Sequence, residues 1–358
     1  MNYLSEKVQR LTPYVAGLQP QGEGWIKLNT NENPYPPSPI VTEAIMGADL
    51  AKLRLYPDGD SRLLCETIAD TLCDEGEAPG VDADWIFCAN GSDEVLALAF
   101  QAFFCGKGKV LSPDISYGFY PVWAKMYDVG MLFMPLSKDF TVIPSLYQNA
   151  EGVIIANPNA PTSLALSRNS IEAIISQNPS GVVIIDEAYI DFAEHGTSAV
   201  ALTARYKNLL VVRTFSKSHS LAGLRVGYAI GNPALINGLR MVRDSFNSYP
   251  MDMLAQLAAA AATKDTEYLR ETTGRIIHTR DKTISALQGM GYKVLPSQAN
   301  FIFIHAKNAQ QLYLFLEARK ILVRYWNKPR INEFIRVTIG TDEEMEAFVQ
   351  CMKEAKNA

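Results

Sequence analysis

The sequence predicts an α/β protein: a large domain built on a mostly parallel sheet covered by helices, followed by a smaller α+β domain. Three observations carry that expectation. The runs 153–156, 182–186 and 210–213 are almost continuously apolar, a helical pattern near 167–177 separates the first two, and strands apolar on both sides need helices on both faces. A glycine turn at Gly91 leads from the apolar run 85–89 directly into a helical pattern. Beyond residue 290, three short apolar runs alternate with two helical ones. We place an N-terminal arm at 1–30, the large domain at 31–245 and the small domain at 246–358, since 358 residues are too many for one small core.

Along the chain, the arm ends at the glycine turn 22–24 and a short apolar run, 25–28. Residues 29–39 hold four prolines and three asparagines, which exclude a helix or a central strand and leave an extended loop, either a linker or a lining over a polar ligand. Helices are predicted near 39–46 and 63–72, with Tyr56 exposed in the turn between them. The helix after Gly91 takes Ser92 or Asp93 as its cap, and its free backbone amides suit an anion. The aromatic loop 112–121 presents Tyr117, which could stack on a planar ring or simply fill space. Residues 251–263 are alanine-rich and apolar on most sides, as in a helix packed between domains, and a long helix follows over 269–290.

Composition narrows the function. A net charge of -5 with no lysine-arginine run argues against a nucleic-acid or anionic-membrane partner, and no apolar run approaches a membrane span, so a cytoplasmic protein is expected. Five cysteines without a Cys-x-x-Cys pair fit reduced core thiols, and four scattered histidines lack metal-ligand spacing, so no metal site is expected.

The chemistry centres on 210–231, where two apolar runs flank a polar bend containing Lys217. A lysine buried beside another cation loses basicity and becomes available as a free amine; Ser216 and Arg225 beside it suit an anion. An amine condenses with a carbonyl, and the carbonyl cofactor that also carries an anion is pyridoxal phosphate. Asp186 ends an apolar strand, where a buried carboxylate needs a cationic partner such as a protonated pyridine nitrogen; a helix cap or a structural ion pair is the alternative. Asn157, Asp186 and the Lys217 bend all fall at strand carboxyl ends, the rim where parallel sheets bind ligands.

Asn157-Pro-Asn-Ala-Pro-Thr162, Asp186-Glu-Ala-Tyr189 and Ser216-Lys-x7-Arg225 resemble the pyridoxal-phosphate aminotransferases of fold type I, class II, over about residues 28–340. Asn29-Thr-Asn-Glu-Asn-Pro34, Tyr56-Pro-Asp-Gly59, Gly91-Ser-Asp-Glu94 and Arg336-Val-Thr-Ile-Gly340 are similar to the histidinol-phosphate aminotransferase subfamily. The resemblance implies a seven-stranded large-domain sheet and a small domain that includes the N-terminal arm. It also implies pyridoxal 5'-phosphate condensed with Lys217, with Asp186 on the pyridine nitrogen, Tyr189 on the ring hydroxyl and Tyr117 on the ring face. The phosphate would be held by the amides of Ser92 and Asp93, by Ser216 and Arg225, and by Tyr56 of a second copy in a homodimer with shared active sites. Arg336 would clamp the substrate's carboxylate or phosphate, with Arg324 assisting and Asn33 as a further substrate contact.

The chain departs from the family pattern at Ala160, where an asparagine usually meets the ring hydroxyl, and at Ser163, which replaces a glycine. Asn157 or Asn159 would then reach across, or Tyr189 would serve alone. The implied reaction is transamination between histidinol phosphate and 2-oxoglutarate, in histidine biosynthesis. Broad aromatic transamination and threonine-phosphate decarboxylation share these motifs. A cofactor-binding regulatory module is the non-enzyme alternative, for which the chain supplies no basic N-terminal segment.

Overall fold

The computed structural model describes residues 3–357. Its larger sheet has seven strands in the order Ile86–Ala89, Gly227–Gly231, Leu209–Thr214, Val182–Asp186, Gly152–Ala156, Val110–Pro113 and Met131–Met134. Gly227–Gly231 runs antiparallel to both neighbours and the remaining pairs are parallel. The expected α/β class and mostly parallel sheet are therefore observed. Strand alternation divides the side chains between two cores. Val153 and Ile155 join the helices Arg62–Asp74, Arg168–Ser176 and Met253–Lys264 on one face, while Ile154 and Ala156 join Gly91–Ala99, Tyr120–Met126 and Pro233–Asp244 on the other.

The smaller sheet is antiparallel, in the order Arg324–Tyr325, Phe334–Thr338, Phe301–His305 and Lys293–Val294. Thr266–Gly289, Ala309–Glu317 and Asp342–Asn357 contribute to its core, which also takes in Leu28 from the N-terminal side. Ile26–Lys27 pairs in parallel with Ile321–Leu322. The first strand of the chain is thus tied to its last third.

Several local expectations shift. The helix after the glycine turn begins at Gly91 with Asn90 as its N-cap, not Ser92 or Asp93; Asn90 makes no side-chain cap bond, and its Nδ2 donates to the Pro250 carbonyl. The cysteines are not all core residues: Cys65 and Cys88 are buried with sulfurs 3.7 Å apart, but Cys105 is exposed. Among the described residues no helix is long and apolar enough to cross a membrane.

One close approach links the sheet to the rim. Gly227 lies so near the start of Gly91–Ala99 that an added Cβ would sit 2.2 Å from the Ser92 nitrogen. That is backbone, which cannot swing aside. Gly227→Ala is expected to lower unfolding free energy by about 2 kcal/mol in urea titration, as overpacking does, while Gly223→Ala, with open space around it, is expected to change little.

Candidate active site

The carboxyl ends of the central strands open into a cavity of about 300 Å³, within the rough 300–1,000 Å³ range of cofactor sites. Asp186, Tyr189, Lys217, Ser216, Ser92, Asp93, Tyr117, Arg225, Arg324 and Arg336 all line it. Lys217 leaves strand Leu209–Thr214 and directs its Nζ to the Thr30 carbonyl at 3.2 Å, 5.9 Å from the centre of the Tyr189 ring. Burial, helped by the Arg336 guanidinium, pulls its ammonium down to about 8.

Asp186 is buried at the strand end, accepting from Tyr120 Oη at 2.7 Å and from the Ala188 amide at 3.3 Å. No described cation pairs with it, and burial raises its carboxyl to about 6 against those two hydrogen bonds. At the other end, the Ser92 turn meets Arg225, whose Nη1 reaches Ser216 Oγ at 3.4 Å and whose Nη2 reaches Asp93 at 3.4 Å. Gly91, at φ +81°, makes this fit possible, since a Cβ there would lie 2.6 Å from Arg225 Nη2. Tyr117 Oη donates to Asp93 at 2.8 Å, which fixes its ring on the cavity wall.

On the third side, Arg336 donates from Nη2 to the Asn29 carbonyl and stacks near Phe301 and Trp326, while its buried Nε has no protein partner. Arg324 is fixed through the carbonyls of Val15 and Ala16. The groups thus suit a ligand that is anionic at one end, cationic near Asp186 and carbonyl-bearing near Lys217.

Four expected residues stand outside the cavity wall. Tyr56 is 82% exposed and stacked on Tyr249. Asn33 donates from Nδ2 to the carbonyls of Lys217 and Ser218, so its amide holds the lysine bend instead of facing the cavity. Asn159 has both amide hydrogens on the Ile115 carbonyl and Thr162 Oγ1, and its Oδ1 accepts from Ser116. Ala156 lines the cavity, so alternation turns Asn157 the other way, where its Oδ1 accepts from the Leu166 amide. Sequence reasoning missed Tyr14, Asn31 and Tyr120. Asn31 was within reach, because it sits in the proline-asparagine loop whose composition suits a lining over a polar ligand.

A lysine ammonium largely withdrawn from water and in no direct ion pair costs stability. With the folded value about 8 and the unfolded value near 10.5, the cost is complete below pH 8 and is relieved as pH rises toward 10.5. Cofactor-free Lys217→Met is therefore expected to be more stable than the native chain by about 2 kcal/mol at pH 7, with a smaller advantage at pH 10, read by urea unfolding.

Residues 23–351 match the family model for aminotransferases of class I and II. The histidinol-phosphate aminotransferase of Brachyspira hyodysenteriae is 48% identical over 355 residues, 98% of each chain. Histidinol-phosphate aminotransferase 1 of Hydrogenovibrio crunogenus is 50% identical over 346 residues, 96% of this chain and 94% of the relative. The crystal structure of histidinol-phosphate aminotransferase from Sinorhizobium meliloti, a complex with pyridoxal-5'-phosphate, has the same fold, with TM-score 0.86 at 23% identity over 99% of this chain and 97% of that one. A half-buried lysine and a buried carboxylate on one cavity rim of this fold, in a chain matched nearly end to end, mean that the chain belongs to the class I and II aminotransferases.

Proposed function

We propose that the chain transfers an amino group between histidinol phosphate and 2-oxoglutarate, making histidinol phosphate from imidazole acetol phosphate and glutamate in histidine biosynthesis. One observation carries the reading: a lysine made less basic by burial shares a cavity with a carboxylate lacking a cation and an arginine whose Nε is unpaired. Near-full-length relatives of that name, 46–50% identical, support the substrate.

The residues fit pyridoxal 5'-phosphate. Ser92 and Asp93 amides, Ser216 and Arg225 would hold its phosphate, Asp186 its ring nitrogen, Tyr189 its ring hydroxyl and Tyr117 its ring face. When bound, it supplies an electrophilic carbonyl and a sink for electrons from the substrate's α-carbon. Lys217 Nζ is the proton carrier: at about 8 its amine is neutral often enough to take the α-proton and return it. Arg336, aided by Arg324, orients the substrate by its carboxylate or phosphate, with the free Nε as an open donor. The phenols of Tyr117 and Tyr189, both pushed up by burial, stay neutral and donate.

The reading includes a division into arm, large domain and small domain. Packing of Met253–Lys264 into the core of the larger sheet supports a boundary after Lys264 instead of at 245. It also includes a cytoplasmic homodimer. Tyr56 is 82% exposed and stacked on the half-exposed Tyr249, and Met46 and Phe246 are each 81% exposed, apolar surface suited to a second copy that would receive Tyr56 at its phosphate site.

Sedimentation is expected to give twice the chain mass, and a monomer would remove the shared site. Adding histidinol phosphate to cofactor-loaded protein, with no keto acid present, is expected to change the cofactor's absorbance spectrum. A spectrum moved by phenylalanine or phosphothreonine but not by histidinol phosphate would transfer the chain to aromatic transamination or to decarboxylation. Lys217→Ala is expected to retain cofactor and lose turnover by a factor on the order of 10²–10⁴ or more; near-normal turnover would refute its role.

A further inference from the structure

The three residues that could replace the family's ring-hydroxyl asparagine do not face the cavity with a donor. Ala160 presents a methyl group, packed with Ala299 and Phe301 against the Tyr189 ring. Asn159 has both amide hydrogens engaged elsewhere, and Asn157 is not in the cavity lining: its Oδ1 accepts from the Leu166 amide and its Nδ2 is buried without a partner on that other side of the strand. What does meet Tyr189 is Asn31. Its Nδ2 donates to the phenol oxygen at 3.0 Å. That bond occupies the phenol as acceptor and leaves its own hydrogen free to be donated.

Asn31 is itself tightly fixed. Its amide nitrogen donates to Thr338 Oγ1 at 3.0 Å, its Oδ1 accepts from the same hydroxyl at 3.1 Å, and its carbonyl accepts from Asn300 Nδ2 at 3.1 Å. The residue is 1% exposed and has φ +57°, a left-handed conformation that asparagine tolerates better than most. A phenol that accepts one hydrogen bond donates the next more strongly. Tyr189 therefore has a rigid donor behind it and open cavity ahead.

We propose that Asn31 is a positioning residue: by donating to Tyr189 Oη it aims the phenol's hydrogen at the cofactor's ring hydroxyl, and so does indirectly what the alanine at 160 has no polar atom to do. The inference rests on the pyridoxal phosphate reading of the cavity. Asn31 acts through Tyr189 and needs no contact with the cofactor. A donor on the ring oxygen stabilises its anionic form, so it lowers the pH at which the bound chromophore loses its proton. Weakening that donor raises it.

The test is a pH titration of the visible absorbance of holoenzyme loaded with pyridoxal phosphate, with cofactor affinity measured in parallel. Asn31→Gly accepts the positive φ and removes the amide; it is expected to raise the chromophore's apparent pKa by about one unit, a tenfold change in proton affinity. Tyr189→Phe is expected to raise it at least as far. In the double variant the Asn31 change is expected to add nothing, because its route is gone. A purely structural role would give additive changes in the double variant, or weaker cofactor binding at an unchanged pKa, and either result overturns the proposal. The near-isosteric Asn31→Asp guards against misfolding of the glycine variant: its carboxylate draws the phenol's hydrogen to itself, so the pKa is again expected to rise, and an unchanged pKa overturns the proposal. Failure of the native chain to take up the cofactor at all would remove the cavity reading and this inference together, and is distinguished by the absence of a visible band.

Discussion

The two hydrogen bonds from Asn33 Nδ2 to the carbonyls of Lys217 and Ser218 join the N-terminal loop to the lysine bend, and the cavity takes its shape from that join. The loop that they hold also offers the Thr30 carbonyl to Lys217, the Asn29 carbonyl to Arg336 and the Asn31 amide to Tyr189. One short segment thus sets three cavity side chains relative to one another. Proline at 34, 36, 37 and 39 restricts the chain just beyond it before folding as well as after, which reduces the entropy lost in ordering it. Buried polar networks of this kind are rigid when every member is satisfied. The unpaired atoms that remain, such as Arg336 Nε, are then informative.

Two adjacent carboxylates show the contrast. Glu187 is buried like Asp186, yet it accepts from Arg213 Nε at 3.0 Å, from Ser198 and from the Ala199 amide. Arg213 in turn also reaches Glu77. The fold can therefore satisfy a buried carboxylate completely on one face of the sheet. On the other face it leaves Asp186 with a phenol and one backbone amide. An uncompensated charge next to a compensated one is hard to explain by packing alone, and a cationic ligand atom resolves it.

Much of this was legible in the sequence, for identifiable reasons. Continuous apolar runs announced Val182–Asp186 and Leu209–Thr214, and strand ends announced Asp186 and Lys217. Strand direction was not legible, because an apolar run has no sign; Gly227–Gly231 turned out antiparallel to both neighbours. Nor was the pairing of Ile26 with Ile321, two residues per strand brought together only by tertiary structure. Tyr120 was hidden in an aromatic-rich loop where several rings compete for the same reading. Asn157 misled in a different way: its place at a strand end is right, but one step of alternation decides which face a side chain takes, and the step went to Ala156.

The pairing of Ile26–Lys27 with Ile321–Leu322 bears on the order in which a ribosome delivers the molecule. Asn31 waits for Thr338, and the Asn29 carbonyl waits for Arg336, both made near the end of translation. Most of the larger sheet can assemble as it emerges, since its strands all lie between residues 86 and 231. The Asn29–Asn31 part of the loop cannot be fixed so early. A nascent chain stalled before residue 320 would carry the lysine bend, the anion cradle and the Asn33 bonds to them, but not the Thr338 and Arg336 contacts that fix Asn31 and Asn29.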